Sequence, residues 1–148
     1  MNIYFAADHN GYYLKDQLID YIGKFGEYSP IDVGNQDYDK NDDFPNYAFR
    51  AINKILNDKD SVGVFICGSG QGMAMAANRF KNIRASLCWN TSEAIDSRND
   101  DNANVLCFSS KQTSLKQAKT ILTVWLSSEF SKAPRFIRRI NELDQFGS

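Results

Sequence analysis

Cysteine is scarce in this chain and falls in no pattern. Cys67, Cys88 and Cys107 are an odd number with no close pair, which argues against a disulfide framework and against a zinc site. Charge of one sign is not in excess either. Lys and Arg number 17 against 18 Asp and Glu, a formal net charge of -1, so no global field draws the chain to nucleic acid or to a membrane. No apolar run approaches a membrane span, and Met1-Asn2-Ile3-Tyr4-Phe5-Ala6-Ala7-Asp8 lacks the basic start and long apolar centre of a secretion signal. A cytoplasmic location is the expectation. Repeats and signs of disorder are missing as well. The 148 residues, 43% hydrophobic and 24% charged, suit one domain, 1–148, with a substantial core.

The stretch that most restricts the rest runs from Val62 to Ala77. Val62-Gly63-Val64-Phe65-Ile66-Cys67 is an apolar run of strand length, and Gly68, Gly70 and Gly72 then turn the chain into a helix rich in Ala and Met. A loop with so few Cβ atoms lets a ligand approach the backbone. Its N–H groups and the positive end of the helix dipole favour an anion, so the loop reads as a cradle for an oxyanion or a phosphate. Two familiar alternatives do not fit. A dinucleotide fingerprint needs a third Gly or Ala at the proper step and an acid about 20 positions on, and a nucleotide P-loop needs Gly-Lys-Ser/Thr; neither is present. Cys67, at the strand end, is by itself either a small buried thiol or one placed by the helix terminus to act as base or nucleophile.

The remainder of the chain alternates regularly. Ile3 to Ala7 is a first strand, followed by Asp8-His9-Asn10-Gly11 and a helix carrying Leu14, Leu18, Ile22 and Phe25 on one face, closed by Gly26. Pro30 to Gly34 is a brief second strand, and residues 35 to 43 form a polar, acidic loop long enough to be a lid or rim. Phe44-Pro45 opens a helix with Ala48, Ala51, Ile52 and Ile55 inward. After the central unit come a strand over Arg84 to Trp89, a helix capped by Asn90 with Glu93 three residues on, and a fifth strand over Val105 to Phe108. Two helices close the chain: one with Leu115, Ala118, Ile121, Leu122 and Trp125 on one side, and one over Arg135 to Phe146 with Ile137, Ile140 and Leu143 on a common face.

Short apolar strands alternating with helices predict an α/β fold whose parallel sheet is covered on both sides. Ligands in such folds bind beyond the carboxyl ends of the strands. Asp8-His9, Cys67 with its loop, and Asn90 all lie at strand exits, which favours the catalytic reading of Cys67.

Asp8-His9-Asn10-Gly11, Asp43-Phe44-Pro45, Cys67-Gly68-Ser69-Gly70-Gln71-Gly72, Ala76-Ala77-Asn78-Arg79, Asn104-Val105-Leu106 and the arginines from Arg135 to Arg139 occur in that order. Together they resemble the family of ribose-5-phosphate isomerase B and the galactose-6-phosphate isomerase subunits, nearly end to end. The resemblance implies a Rossmann-like three-layer fold with a five-stranded parallel sheet and a C-terminal helix extension. It also implies a homodimer or homotetramer with active sites between subunits, and aldose–ketose isomerisation of a sugar phosphate with neither metal nor cofactor. Cys67 takes the place of the family's thiol base, and the N–H groups of Gly68, Gly70, Gln71 and Gly72 are suited to the enediolate. Ser69 polarises the thiol or a substrate oxygen. Asp8 and His9 match a pair contacting sugar and phosphate, and Arg135 and Arg139 match phosphate-binding arginines, whose guanidinium groups make paired hydrogen bonds. Lys111 falls where an Arg is common.

One departure stands out. Where the family has Ala-Arg-x-His-Asn-x-Ala-Asn, this chain reads Ser97-Arg98-Asn99-Asp100-Asp101-Asn102-Ala103-Asn104, so Asp100 replaces the ring-opening His and Asp101 the Asn after it. An ordinary aspartate is ionised at neutral pH and is a poor proton donor to a ring oxygen. Three readings follow. The chain is an isomerase of ribose 5-phosphate and ribulose 5-phosphate, one subunit of a heteromeric isomerase such as that for galactose 6-phosphate, or a sugar-phosphate-binding protein with impaired ring opening.

Overall fold

The computed structural model describes residues 1–148. Five strands, β1 (Asn2–Ala7), β2 (Ser29–Asp32), β3 (Val62–Cys67), β4 (Ala85–Leu87) and β5 (Val105–Ser109), form one parallel sheet in the order β2-β1-β3-β5-β4. Six helices accompany them: α1 (Tyr12–Ile22), α2 (Phe44–Leu56), α3 (Gln71–Ala77), α4 (Thr91–Asn99), α5 (Leu115–Ser127) and α6 (Pro134–Leu143). This is the Rossmann-like α/β architecture expected.

Every residue of β3 is buried, because helices cover the sheet on both faces. Alternate side chains divide into two cores. Ile3, Phe5, Val64, Ile66, Leu106 and Phe108 meet α1 and α5, while Tyr4, Ala6, Phe65, Cys67 and Cys107 meet α2 and α3. The chain order reverses between β1 and β3, so the exits of these neighbouring strands diverge and leave a crevice at their carboxyl ends.

Several boundaries differ from those expected. The first helix ends at Ile22 rather than Gly26, with Gly23 as its cap, and Phe25 packs from the loop beyond it. The second strand starts at Ser29 and stops at Asp32, because it pairs with β1 over only four residues. The fourth is three residues long, since beyond Leu87 the chain leaves the sheet edge. Asn90 caps α4 as its residue type suggests, accepting the Glu93 N–H at 2.8 Å.

The last helix departs most. It ends at Leu143, and the Ile137, Ile140 and Leu143 face does not enter the core: Ile137 is 41% and Leu143 53% exposed, while Phe136 is the residue that is buried. Both faces of the sheet are already occupied, so the helix has no layer of its own to join. It is tied by its end instead, where Nη1 of Arg84 donates to both carboxylate oxygens of Asp144 at 2.9 and 2.8 Å.

Candidate active site

Cys67 closes β3 with its side chain in the core facing α2 and α3, and it is 4% exposed. The loop after it is held by its carbonyls. Ser110 and Lys111 donate their N–H groups to the carbonyls of Cys67 and Gly68 at 3.0 and 3.1 Å, and the Ser109 hydroxyl also donates to Gly68 at 2.8 Å. The N–H groups of the same loop are left over. Those of Gly68, Ser69, Gly70, Gly72 and Met73 donate to nothing in the chain, and only that of Gln71 is engaged, by the Ser69 hydroxyl at 3.2 Å. A row of unpartnered amides at the mouth of a crevice is an anion-binding surface.

Gly70 makes the turn possible. Its φ is +75°, and a Cβ there would press on Leu87 and stand 3.0 Å from the Phe108 carbonyl. Gly72 has a different reason: a Cβ would strike the ring of Phe44, at 2.6 Å from Cζ, so the second helix packs directly on the loop. Ser69, Gln71 and Lys111 line a cleft of about 350 Å³ together with Trp89, Ser109 and Gln112. Burial pushes the thiols of Cys88 and Cys107 upward, Cys107 strongly, so neither is a source of thiolate.

Across the crevice, Asp8 follows β1. Its N–H donates to the Ile66 carbonyl at 3.3 Å, which places the first strand's exit beside the end of β3. Its Oδ1 accepts the N–H groups of Asn10 and Gly11 at 3.0 and 3.3 Å, and burial raises its carboxyl above the usual carboxylate range. Asp8, not His9, therefore satisfies the amides leading into α1. His9 lies alongside and is bound by Asp42 of the loop over residues 35 to 43, at 2.8 Å from Nδ1 and 2.9 Å from the backbone N–H. That hydrogen bond raises the imidazole pKa. Asp8, His9 and Asp42 bring possible ligand atoms within 4.8 Å of one another, but His9 and Asp42 are already bonded together, so they form a hydrogen-bonded set rather than an open metal cage. The loop is anchored by a fully buried lysine, Lys15, whose Nζ meets Asp32 and the carbonyls of Gly34 and Asn35.

The remaining expected residues stand elsewhere. Asp100 follows α4, which returns to the amino edge of the sheet, where Asn104 accepts the Gly63 N–H at the start of β3. Asn99 donates to Asp100 at 2.7 Å. Next to it, desolvation and the Asp100 charge raise the Asp101 carboxyl, opposed by Arg139 and Arg84. Arg135 and Arg139 are exposed on α6. The chain thus brings together Asp8, His9, Cys67, Gly68, Ser69, Gly70, Gln71, Gly72 and Lys111, and it gathers Asp100, Asp101 and Arg139 at the other end. Asp42 and Trp89 escaped the sequence reading. Asp42 is one of several acids in its loop, and only its pairing with His9 sets it apart.

Residues 3–143 match the sequence profile of the family described as Ribose/Galactose Isomerase. The chain belongs to the ribose/galactose isomerase family. Ribose-5-phosphate isomerase B of Mycolicibacterium paratuberculosis is 34% identical over 146 residues, covering 99% of this chain and 91% of that protein. Among solved structures, ribose-5-phosphate isomerase B of Clostridium thermocellum superposes with a TM-score of 0.93 at 32% identity, over 98% of this chain and 96% of the other. The Mycoplasma genitalium enzyme, solved with ribulose 5-phosphate bound, gives a TM-score of 0.90 at 36% identity, over 97% and 94%. For a ribose/galactose isomerase, free amides and a thiol at one strand exit are fitting chemistry. No helix is long and apolar enough to cross a membrane.

Proposed function

We propose that this chain is an aldose–ketose isomerase that interconverts ribose 5-phosphate and ribulose 5-phosphate in the cytoplasm, its whole length acting as one domain. The observation that carries this reading is the row of amides from Gly68 to Met73 directly after Cys67, all unpartnered except that of Gln71. Isomerisation moves a proton from C2 to C1 of the open-chain sugar and a hydroxyl proton between the two oxygens, with no external oxidant. Cys67, as thiolate, takes the C2 proton, and the thiol then returns it to C1. The enediolate formed between these steps carries its charge on oxygen, where the loop amides are aimed and where preorganised donors are worth most. Near-complete burial of Cys67 keeps bulk water from the reacting proton.

His9 and Lys111 hold the substrate from this crevice, Arg135 and Arg139 hold its phosphate from another chain, and Asp100 takes the ring-opening position. Strand geometry supports the division. Gly63 and Cys67 are four residue steps apart, on the order of 13 Å along β3, too far for one chain to close both strand ends around a single sugar phosphate. Two copies set edge to edge can, and the uncovered Ile137 and Leu143 of α6 fit such a contact.

The deciding experiment uses the purified chain alone against a panel of pentose and hexose phosphates in both directions. Fastest turnover on the ribose 5-phosphate pair is expected. Turnover only after a homologous chain is added assigns the protein to a heteromeric isomerase, and binding without turnover to a sugar-phosphate-binding protein.

A further inference from the structure

The contact between Asp42 and His9 is more specific than an ordinary surface pair. The Asp42 side chain is 4% exposed, and one oxygen, Oδ1, takes both the backbone N–H and Nδ1 of His9, at 2.9 and 2.8 Å. An ionised carboxylate only accepts, so Nδ1 carries the hydrogen whatever the state of the ring. The other ring nitrogen, Nε2, is then free for a ligand. In the neutral ring it is an acceptor and repels an anion's oxygens; in the imidazolium it is a charged donor.

We propose that Asp42 is a positioning residue for substrate binding: it locks the His9 ring in one orientation and one tautomer, so that Nε2 grips the substrate's anionic group only as imidazolium. The inference rests on the placement of His9 at the substrate given above. The groups around the ring are Asp8 from the exit of β1, and Asp39, Asp42 and the near-perpendicular Tyr38 ring, at a centroid distance of 6.4 Å, from the 35–43 loop. All the charges among them are negative and favour the imidazolium. Asp42 contributes most because it alone bonds the ring. Burial and Asp42 also raise the Tyr47 phenol, which keeps that hydroxyl protonated beside the carboxylate.

The chain has a single histidine, so its imidazole resonances report His9 without ambiguity. The test compares the full-length protein with Asp42→Asn, whose amide oxygen still accepts both hydrogen bonds but carries no charge, and with Asp42→Glu, which restores the charge. Each is followed by imidazole nitrogen NMR against pH, with and without inorganic phosphate, and by KM and kcat for ribose 5-phosphate across the same range. Asp42→Asn should lower the titration midpoint of His9. It should raise KM by up to about tenfold at pH values between the two His9 midpoints, the order expected on losing a charge-assisted hydrogen bond, with kcat little changed. The KM ratio of variant to wild type should fall towards one below both midpoints, where both rings are charged; titration of the substrate phosphate is common to both and cancels. Asp42→Glu should recover part of the loss.

A KM ratio that does not vary with pH, or an unchanged His9 titration, overturns the proposal. If the titration moves but KM does not, His9 does not touch the substrate, and this inference falls while wild-type turnover still stands for the isomerase reading. Should Asp42→Asn not fold, the wild-type spectrum decides: a neutral ring carrying hydrogen on Nε2 rather than Nδ1 overturns the proposal.

Discussion

Cys67 and Asp100 stand at opposite edges of the same sheet, Cys67 at the carboxyl end of β3 and Asp100 just past α4, beside the strand starts. Both match working positions of the family by sequence resemblance, and within one chain the length of β3 lies between them.

We predict that two inactive variants will rescue each other. Cys67→Ala and Arg139→Ala should each be nearly inactive alone. Mixed and allowed to exchange subunits, they should regain roughly a quarter of wild-type activity, because half of the random dimers are mixed and each has one intact site. No recovery after proven exchange would place Arg139 outside the site formed with Cys67.

Cys67→Ala by itself should lower kcat by several orders of magnitude, as expected for loss of the group that moves the proton, while sugar-phosphate binding measured by calorimetry persists. Near-normal turnover would remove Cys67 from the mechanism.

Gly70→Ala should destabilise the fold by about 2–4 kcal/mol, from strain at a positive φ and from overpacking against Leu87 and Phe108. Thermal unfolding reads this directly. Activity should fall further than stability, because the same turn aims the amides that follow Cys67.

Asp100→His should speed the aldose direction more than the ketose direction before steady state. Ribose 5-phosphate must open a furanose ring and ribulose 5-phosphate cannot close one, so a stronger proton donor helps the first step of only one direction. The equilibrium constant cannot change, so the test belongs in the early release of product. If the substitution slows ring opening, Asp100 already performs it.

Much of this was legible in the chain itself. Apolar runs ending in Cys67 and at Ala7, with glycines at the turn, specify a strand, a loop and a helix whatever surrounds them, because a short buried strand and a positive-φ turn are local demands. The strand boundaries that went astray, at Gly34 and Trp89, are those set by how far a neighbouring strand extends, which no local pattern carries.

Tertiary structure alone decided the rest. Strand order put Asp8 beside Cys67, since side chains distant in sequence meet according to which strands pair, and the return of α4 carried Asp100 back to the strand starts. It chose Asp42 from an acidic loop as the partner of His9, and it left the apolar face of α6 outside because both faces of the sheet were already covered. Residue types determined which chemistry is present. Packing determined which of those groups share one crevice.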